Sequence, residues 1–258
     1  MKRISKGGRA IWVALAVLAA VLPGPPATAE ESAKPPPLAG YRPEDRREAE
    51  DILKDVTFKA DRRMTFPADE DVLRFLVDHP DFAADVSRGI GHERFRVRRE
   101  KGRYRITHGY ARGIFRVVER RPDRVAYLAA GTYDRPVLRL LGIRLRARAF
   151  VVETFGRASA PRPGGAPPDR TVTIRAYLHV ENPILGKIFR WVGPLIRTAF
   201  ERKLTGAYRI APELSRMAYE GAESFLKKVR KIEGLDAVQL GRFEALVKRQ
   251  PVRKMSSN

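Results

Sequence analysis

The feature that most constrains this chain is a change of period between Thr171 and Ile232. Over Thr171–Glu181, the residues Val172, Ile174, Ala176, Leu178 and Val180 alternate with Thr171, Thr173, Arg175, Tyr177, His179 and Glu181. That is the two-residue repeat of a half-buried strand. After Asn182-Pro183 the spacing becomes three and four, and Leu185, Ile188, Phe189, Val192, Leu195, Ile196, Ala199 and Phe200 trace one stripe of an amphipathic helix. The stripe resumes beyond Pro212 as Leu214, Met217, Gly221, Phe225, Val229 and Ile232. Pro194 and Pro212 each remove a helical hydrogen bond, which predicts a kink or restart at both. A strand that passes straight into a long helix needs a sheet for that helix to close.

The upstream sequence supplies the sheet. Val56–Phe66 alternates as a first strand, with Val56, Phe58, Ala60, Met64 and Phe66 on one side. Asp69 then caps a helix carrying Val72, Leu73, Phe75, Leu76 and Val77, Pro80 stops it, and Asp81–Arg88 forms a second short helical turn. Five more strands precede the organising one: Ile90–Arg99, Arg103–Tyr110, Arg112–Arg120, Arg124–Tyr133 and Ile143–Gly156, an antiparallel meander by their short turns. Ala158–Asp169, crowded with proline and glycine, reads as an exposed loop. Glu44–Asp55 has strong helix formers and few apolar anchors, so it reads as a short solvated helix. Glu30–Pro43, around Pro35-Pro36-Pro37, reads as an extended linker, and Gly234–Asn258 as a tail with a weak helical stripe and a basic end. One domain over 44–233 accounts for these elements.

At the N-terminus Lys2, Arg3, Lys6 and Arg9 precede the apolar run Ile11–Leu22, and Ala27-Thr28-Ala29 supplies small residues two apart. This predicts a secretory signal peptide over residues 1–29, cut near Ala29. The run is about 12 residues where a membrane span needs roughly 20. The chain has no cysteine, so a disulfide framework and a lipid-modified N-terminal cysteine are both excluded. Together these features predict a periplasmic protein. Removing residues 1–29 takes four of the 51 Lys and Arg and none of the 30 Asp and Glu, leaving +17. An exported protein meets anionic lipid rather than nucleic acid, so an anionic membrane surface is the expected partner. The competing explanation is an arginine-rich composition spread over solvated strand faces.

On the longest strand Ile143, Leu145, Ala147, Ala149 and Val151 alternate with Arg144, Arg146, Arg148, Phe150 and Val152. The arginine side reads as the outside. On the inside, Ala147, Ala149 and Ala176 are small where Val or Leu would fill a core, which leaves two outcomes open. Either a cavity lies between sheet and helix, walled by Ala147, Ala149, Val151, Ile174, Ala176, Leu178, Phe189, Phe200 and His108, or large side chains such as Phe189, Trp191, Phe200 and Phe225 fill the space. His79, His92, His108 and His179 stand at no metal-binding spacing, so no metal and no cofactor is expected. Tyr104, His108, Glu119 and Glu153 take inward parity, and the trio His108, Tyr104 and Glu119 is the candidate set for acid–base chemistry. No Gly-x-Ser-x-Gly elbow occurs. In Lys187–Arg197 the residues Lys187, Arg190, Trp191 and Arg197 mix cations with an aromatic, as a membrane-facing gate would, or as the two faces of an ordinary helix would.

The order strand, two short helices, six antiparallel strands and long C-terminal helix resembles the helix-grip fold of the START-like superfamily, also called SRPBCC, which includes polyketide cyclases and lipid-transfer domains. The residues that carry it are Met64-Thr65-Phe66-Pro67-Ala68-Asp69 with Val72 and Phe75, the run Gly113-Ile114-Phe115-Arg116-Val117-Val118-Glu119, and the strand-to-helix passage Glu181–Phe200. The resemblance implies an α+β fold in which a curved antiparallel sheet of about seven strands wraps a long C-terminal helix and an apolar ligand binds between them. It points to a carrier of a lipid or other apolar small molecule. A cyclase or aromatase acting in the same pocket, and an envelope scaffold protein with a closed core, are the alternatives.

Overall fold

Seven strands form one antiparallel sheet in the order β1-β7-β6-β5-β4-β3-β2. They are β1 (Phe58–Pro67), β2 (Arg96–Glu100), β3 (Arg103–His108), β4 (Ala111–Arg120), β5 (Arg124–Tyr133), β6 (Leu145–Arg157) and β7 (Asp169–Val180). The helices are α1 (Pro43–Lys54), α2 (Glu70–Asp78), α3 (Pro80–Gly89), α4 (Ala222–Val229) and α5 (Ala237–Arg249), with a further helical stretch over 213–220. The computed structural model describes residues 37–91, 95–134, 145–157, 169–182, 210–211 and 213–249. The arrangement is α+β and has the helix-grip order: strand, two short helices, six antiparallel strands, then C-terminal helices, with the first strand paired to the last.

The local chemistry follows the sequence at the start of the sheet. Asp69 caps α2, its Oδ1 accepting from the N–H groups of Asp71 and Val72 at 2.9 and 3.1 Å. Pro80 opens α3, where its missing N–H costs nothing. The inward-facing residues Ala60, Val151, Val172, Ile174 and Ala176 are buried with Leu73 of α2. Beyond them lies a cluster made by helices alone: Phe75, Leu76, Phe82, Val86, Leu214, Phe225, Val229, Phe243 and Val247.

Four expectations need correction. First, the helix expected to be solvated is not: α1 packs across the outer face of the sheet, burying Ala49 and Ile52 with Tyr41 against Ala126, Leu128, Phe150, Val152 and Tyr177. Ala49 and Ile52, with the partly buried Leu53 beside them, suffice on α1 because the sheet provides the rest of the apolar surface. Second, the segment after Ile232 is no tail as far as Arg249, since α5 places Phe243 and Val247 fully in the helical cluster, so the domain does not stop at 233. Third, the C-terminal helical stripe breaks at Gly221 (φ −155°, ψ 57°); Pro194 and Pro212 lie outside the described residues. Fourth, Phe225 packs among helices in that cluster and does not fill the space over the sheet.

Candidate functional site

The inner sheet face is built of small residues along its middle. Ile106, Gly113, Gly131, Ala147 and Val180 stand opposite one another on successive strands. The glycine pair brings β4 and β5 into close approach: a Cβ on Gly113 would lie 2.9 Å from the Ala130 carbonyl oxygen. Neighbouring rows add Ala129 and Ala149. A cavity of about 290 Å³ lies between α2, α3 and this face of the sheet, reached by Ala129 of the small residues. Its walls are Leu73, Leu76 and Val77 of α2, Pro80, Ala83 and Ala84 of α3, and Phe95, Val97, Ile106, Phe115, Ala129, Val151, Phe155, Val172 and Ile174 of the sheet side, with Ile210 and Ala211 from the C-terminal segment.

Only two described wall residues carry polar side chains, Tyr127 and Glu153. Tyr127 donates its hydroxyl to Glu153 Oε2 at 3.5 Å, the outer limit of a hydrogen bond. Glu153 is 6% exposed and has no cation beside it among the described residues. Burial in this apolar site pushes its carboxyl up to about 7, and the Tyr127 contact only partly opposes the shift. This carboxyl is therefore far easier to protonate near neutral pH than an exposed glutamate. It can donate to a ligand carbonyl or hydroxyl, accept from a ligand donor, or move a proton between them.

The structure distributes the residues singled out in the sequence as follows. Val151 and Ile174 stand in the cavity wall. Ala149 and Ala176 belong to the same inward-facing cluster, while Ala147 and Leu178 share its face by register. His108 stacks on Phe95 with ring centroids 4.2 Å apart, and Tyr104 is buried by stacking on Phe115 at 5.0 Å. Phe189, Phe200, Lys187, Arg190, Trp191 and Arg197 lie outside the described residues. His179, expected to be solvated, lies close to the end of α1, where its Nδ1 is 2.7 Å from the Asp55 carbonyl oxygen.

The proposed trio of His108, Tyr104 and Glu119 does not converge, because Glu119 faces the other side of the sheet. Val117 pairs with Tyr127 but Glu119 pairs with Ala126, so one extra residue bulges from β4 and reverses the parity of the strand beyond it. Glu119 consequently joins the outer layer, where it accepts from the Tyr41 hydroxyl (2.9 Å) and pairs with Arg124 (2.5 Å) and Arg121 (2.8 Å). Glu153 is the inward carboxylate that remains, and Tyr127, which sequence reasoning missed, is its partner. The signal was present: Tyr127 has the parity of Val125 and Ala129 on β5.

Fold and cavity define an α+β protein in helix-grip order with an apolar space between sheet and helices. No protein-family model matches the sequence and no curated protein does. Among solved structures the chain is similar to a hypothetical protein from Helicobacter pylori, at 9% identity and a TM-score of 0.39 over 73% of this chain and 99% of that one. It is similar to norcoclaurine synthase from Thalictrum flavum in complex with dopamine and hydroxybenzaldehyde, at 11% identity and a TM-score of 0.38 over 70% and 96%. It is also similar to the di-domain ARO/CYC BexL from the BE-7585A biosynthetic pathway, at 12% identity and a TM-score of 0.37 over 64% of this chain and 53% of that one. At such identities and TM-scores the likeness says nothing of activity or ligand.

Proposed function

We propose that this protein is a non-enzymatic carrier of the periplasm that holds a lipid, or another apolar molecule with one hydrogen-bonding group, in the cavity between the inner sheet face and the helices. The observation that supports this reading is the composition of the cavity wall: apolar throughout its described residues except for Glu153 and Tyr127. Transfer of an apolar molecule from water into such a space is favourable by about 0.8 kcal/mol per methylene, and the single carboxyl–phenol pair fixes which end enters first. Export behind the residue 1–29 segment is part of the proposal, since the basic, cysteine-free chain suits an envelope compartment. Native mass spectrometry and organic extraction of the protein from its own cells test it. A co-purified apolar molecule is expected, and Ala129→Phe, which fills the space with little disturbance elsewhere, abolishes its retention. Repeated recovery of an empty protein with a side-chain-filled interior overturns the reading.

A second reading, a cyclase-like enzyme, draws on the position of the Glu153 proton near neutrality beside the Tyr127 phenol. The two readings separate in Glu153→Gln. A carrier loses or weakens retention of its ligand, whereas an enzyme keeps binding and accumulates the unconverted molecule.

A further inference from the structure

The arginine excess is not spread evenly over the chain. Residues 92–148 hold 17 Lys and Arg against five Asp and Glu, so a stretch of under a quarter of the sequence carries +12 of the formal +21. A compositional bias alone would not concentrate in this way.

The sheet gathers much of this charge on one surface. In one cross-strand row Arg96, Thr107, Arg112, Thr132 and Arg146 stand opposite one another, and in the next Arg98, Arg105, Ile114, Ala130 and Arg148 do. Both rows lie on the outer face, since Arg116 and Phe150, two residues further along β4 and β6, reach α1. The half of the outer face that α1 covers is different in kind: there Arg116 is bound by Asp45 and Glu48. On the uncovered half, Glu100 pairs Arg105 and Glu181 pairs Arg148. Arg96, Arg98, Arg112 and Arg146 are exposed and make no ion pair among the described residues. Arg98 and Arg105 are direct cross-strand partners, a like-charge pairing that weakens a sheet. Folding does not account for such an arrangement, but an external polyanion would.

We propose that this uncovered outer face is a docking surface for an anionic phospholipid bilayer, held by the guanidinium groups of Arg96, Arg98, Arg112 and Arg146. Guanidinium forks grip phosphate oxygens in pairs. Two exposed side chains suit a lipid partner over a nucleic acid: Ile114, 41% exposed in the middle of the arginines, and Tyr110, 51% exposed at the β3–β4 turn, gain by dipping among headgroups. The choice of lipid rests on the carrier reading, and β2 connects the two. Phe95 and Val97 line the cavity while Arg96 and Arg98 alternate with them on the outer face, so β2 belongs to both the cavity wall and the docking face.

The test is co-sedimentation of the full chain with vesicles of phosphatidylcholine alone and of phosphatidylcholine with phosphatidylglycerol, at low and rising salt. Binding is expected to the anionic vesicles only, and to fall as salt rises. The fourfold variant R96Q/R98Q/R112Q/R146Q loses affinity by on the order of a hundredfold or more. A control with the same loss of charge on α4, α5 and their connection, K227Q/K228Q/K231Q/K248Q, binds far better than the arginine variant. Far-UV circular dichroism and thermal unfolding verify that both variants fold; if the fourfold variant does not, the single variants R98Q and R112Q carry the test, each expected to weaken binding several-fold. Equal losses in the two fourfold variants, no binding by the wild-type chain, or binding to single-stranded nucleic acid but not to vesicles each overturn the proposal. Vesicle binding by a protein that never retains a ligand leaves the docking face standing and removes the carrier reading instead.

Discussion

The two faces of the sheet bury carboxyl groups in opposite ways. On the outer face Glu119, 7% exposed in its side chain, is held between Arg124 and Arg121 and accepts from Tyr41. On the inner face Glu153, equally buried, has a phenol at 3.5 Å and apolar walls. The outer carboxylate anchors the approach to α1, and burial together with that carboxylate holds the Tyr41 hydroxyl well above its ordinary pKa. The inner one is pushed up to about 7 by desolvation. Burial alone therefore does not decide what a glutamate does here. The partners decide: one side of the sheet uses a charge as a fastener, and the other keeps a titratable proton inside an apolar space.

The contrast can be broken from either side. The largest effect is expected for Glu119→Ala, which strands the partly buried Arg124 guanidinium and the Tyr41 hydroxyl. Unfolding free energy in urea should drop by about 4 kcal/mol, with little dependence on pH between 6 and 8. A loss below about 1 kcal/mol would show that the outer network is solvated and the comparison unsound. Glu153→Gln comes next and acts in the other direction. The folded-state value of about 7 lies above the ordinary glutamate value of 4.5, so the folded protein holds the proton more tightly than the unfolded chain. The stability this gives is complete below pH 4.5 and is lost as pH rises through 7. The wild type should therefore lose up to about 3 kcal/mol between pH 4.5 and 8, whereas the variant should show no such slope. Equal pH profiles would mean that Glu153 is ionised and paired after all. The smallest effect belongs to Asp45→Asn. Arg116 keeps Glu48 at 2.6 Å when Asp45 is lost, so a cost of about 1 kcal/mol that shrinks with added salt is expected by thermal melting.

Much of this molecule was legible in the strand periods. Alternation placed Val151, Ile174, Ala149 and Ala176 on the inward face, and it placed Glu153 there as well. Other elements could not be read for identifiable reasons. A β-bulge leaves no mark in a pattern of alternating residues, so Glu119 was carried to the wrong face by a period that β4 keeps only as far as Val117. The packing of α1 was hidden because its own stripe is thin. Ile52 and Ala49 look too few to anchor a helix until Phe150, Val152 and Tyr177, more than ninety positions later, are placed on the same face. What glycines 113 and 131 do was not legible in either strand alone, and only their pairing shows how closely β4 and β5 approach there.

The pairing of β1 with β7 has a consequence for the order in which the molecule can be made. The Thr57 hydroxyl accepts the N–H of Val180, 123 positions away, and every rung of the β1–β7 ladder spans a comparable separation. Contacts that far apart in sequence are closed late and slowly. As the ribosome extends the chain, Phe58, Ala60, Met64 and Phe66 must wait without a neighbour until almost all of the sheet has emerged, and α1 waits equally long for its floor. The nascent protein thus stays open through most of its synthesis. Such a delay gives holdases time to act on it, and it leaves the first strand unpaired for longest.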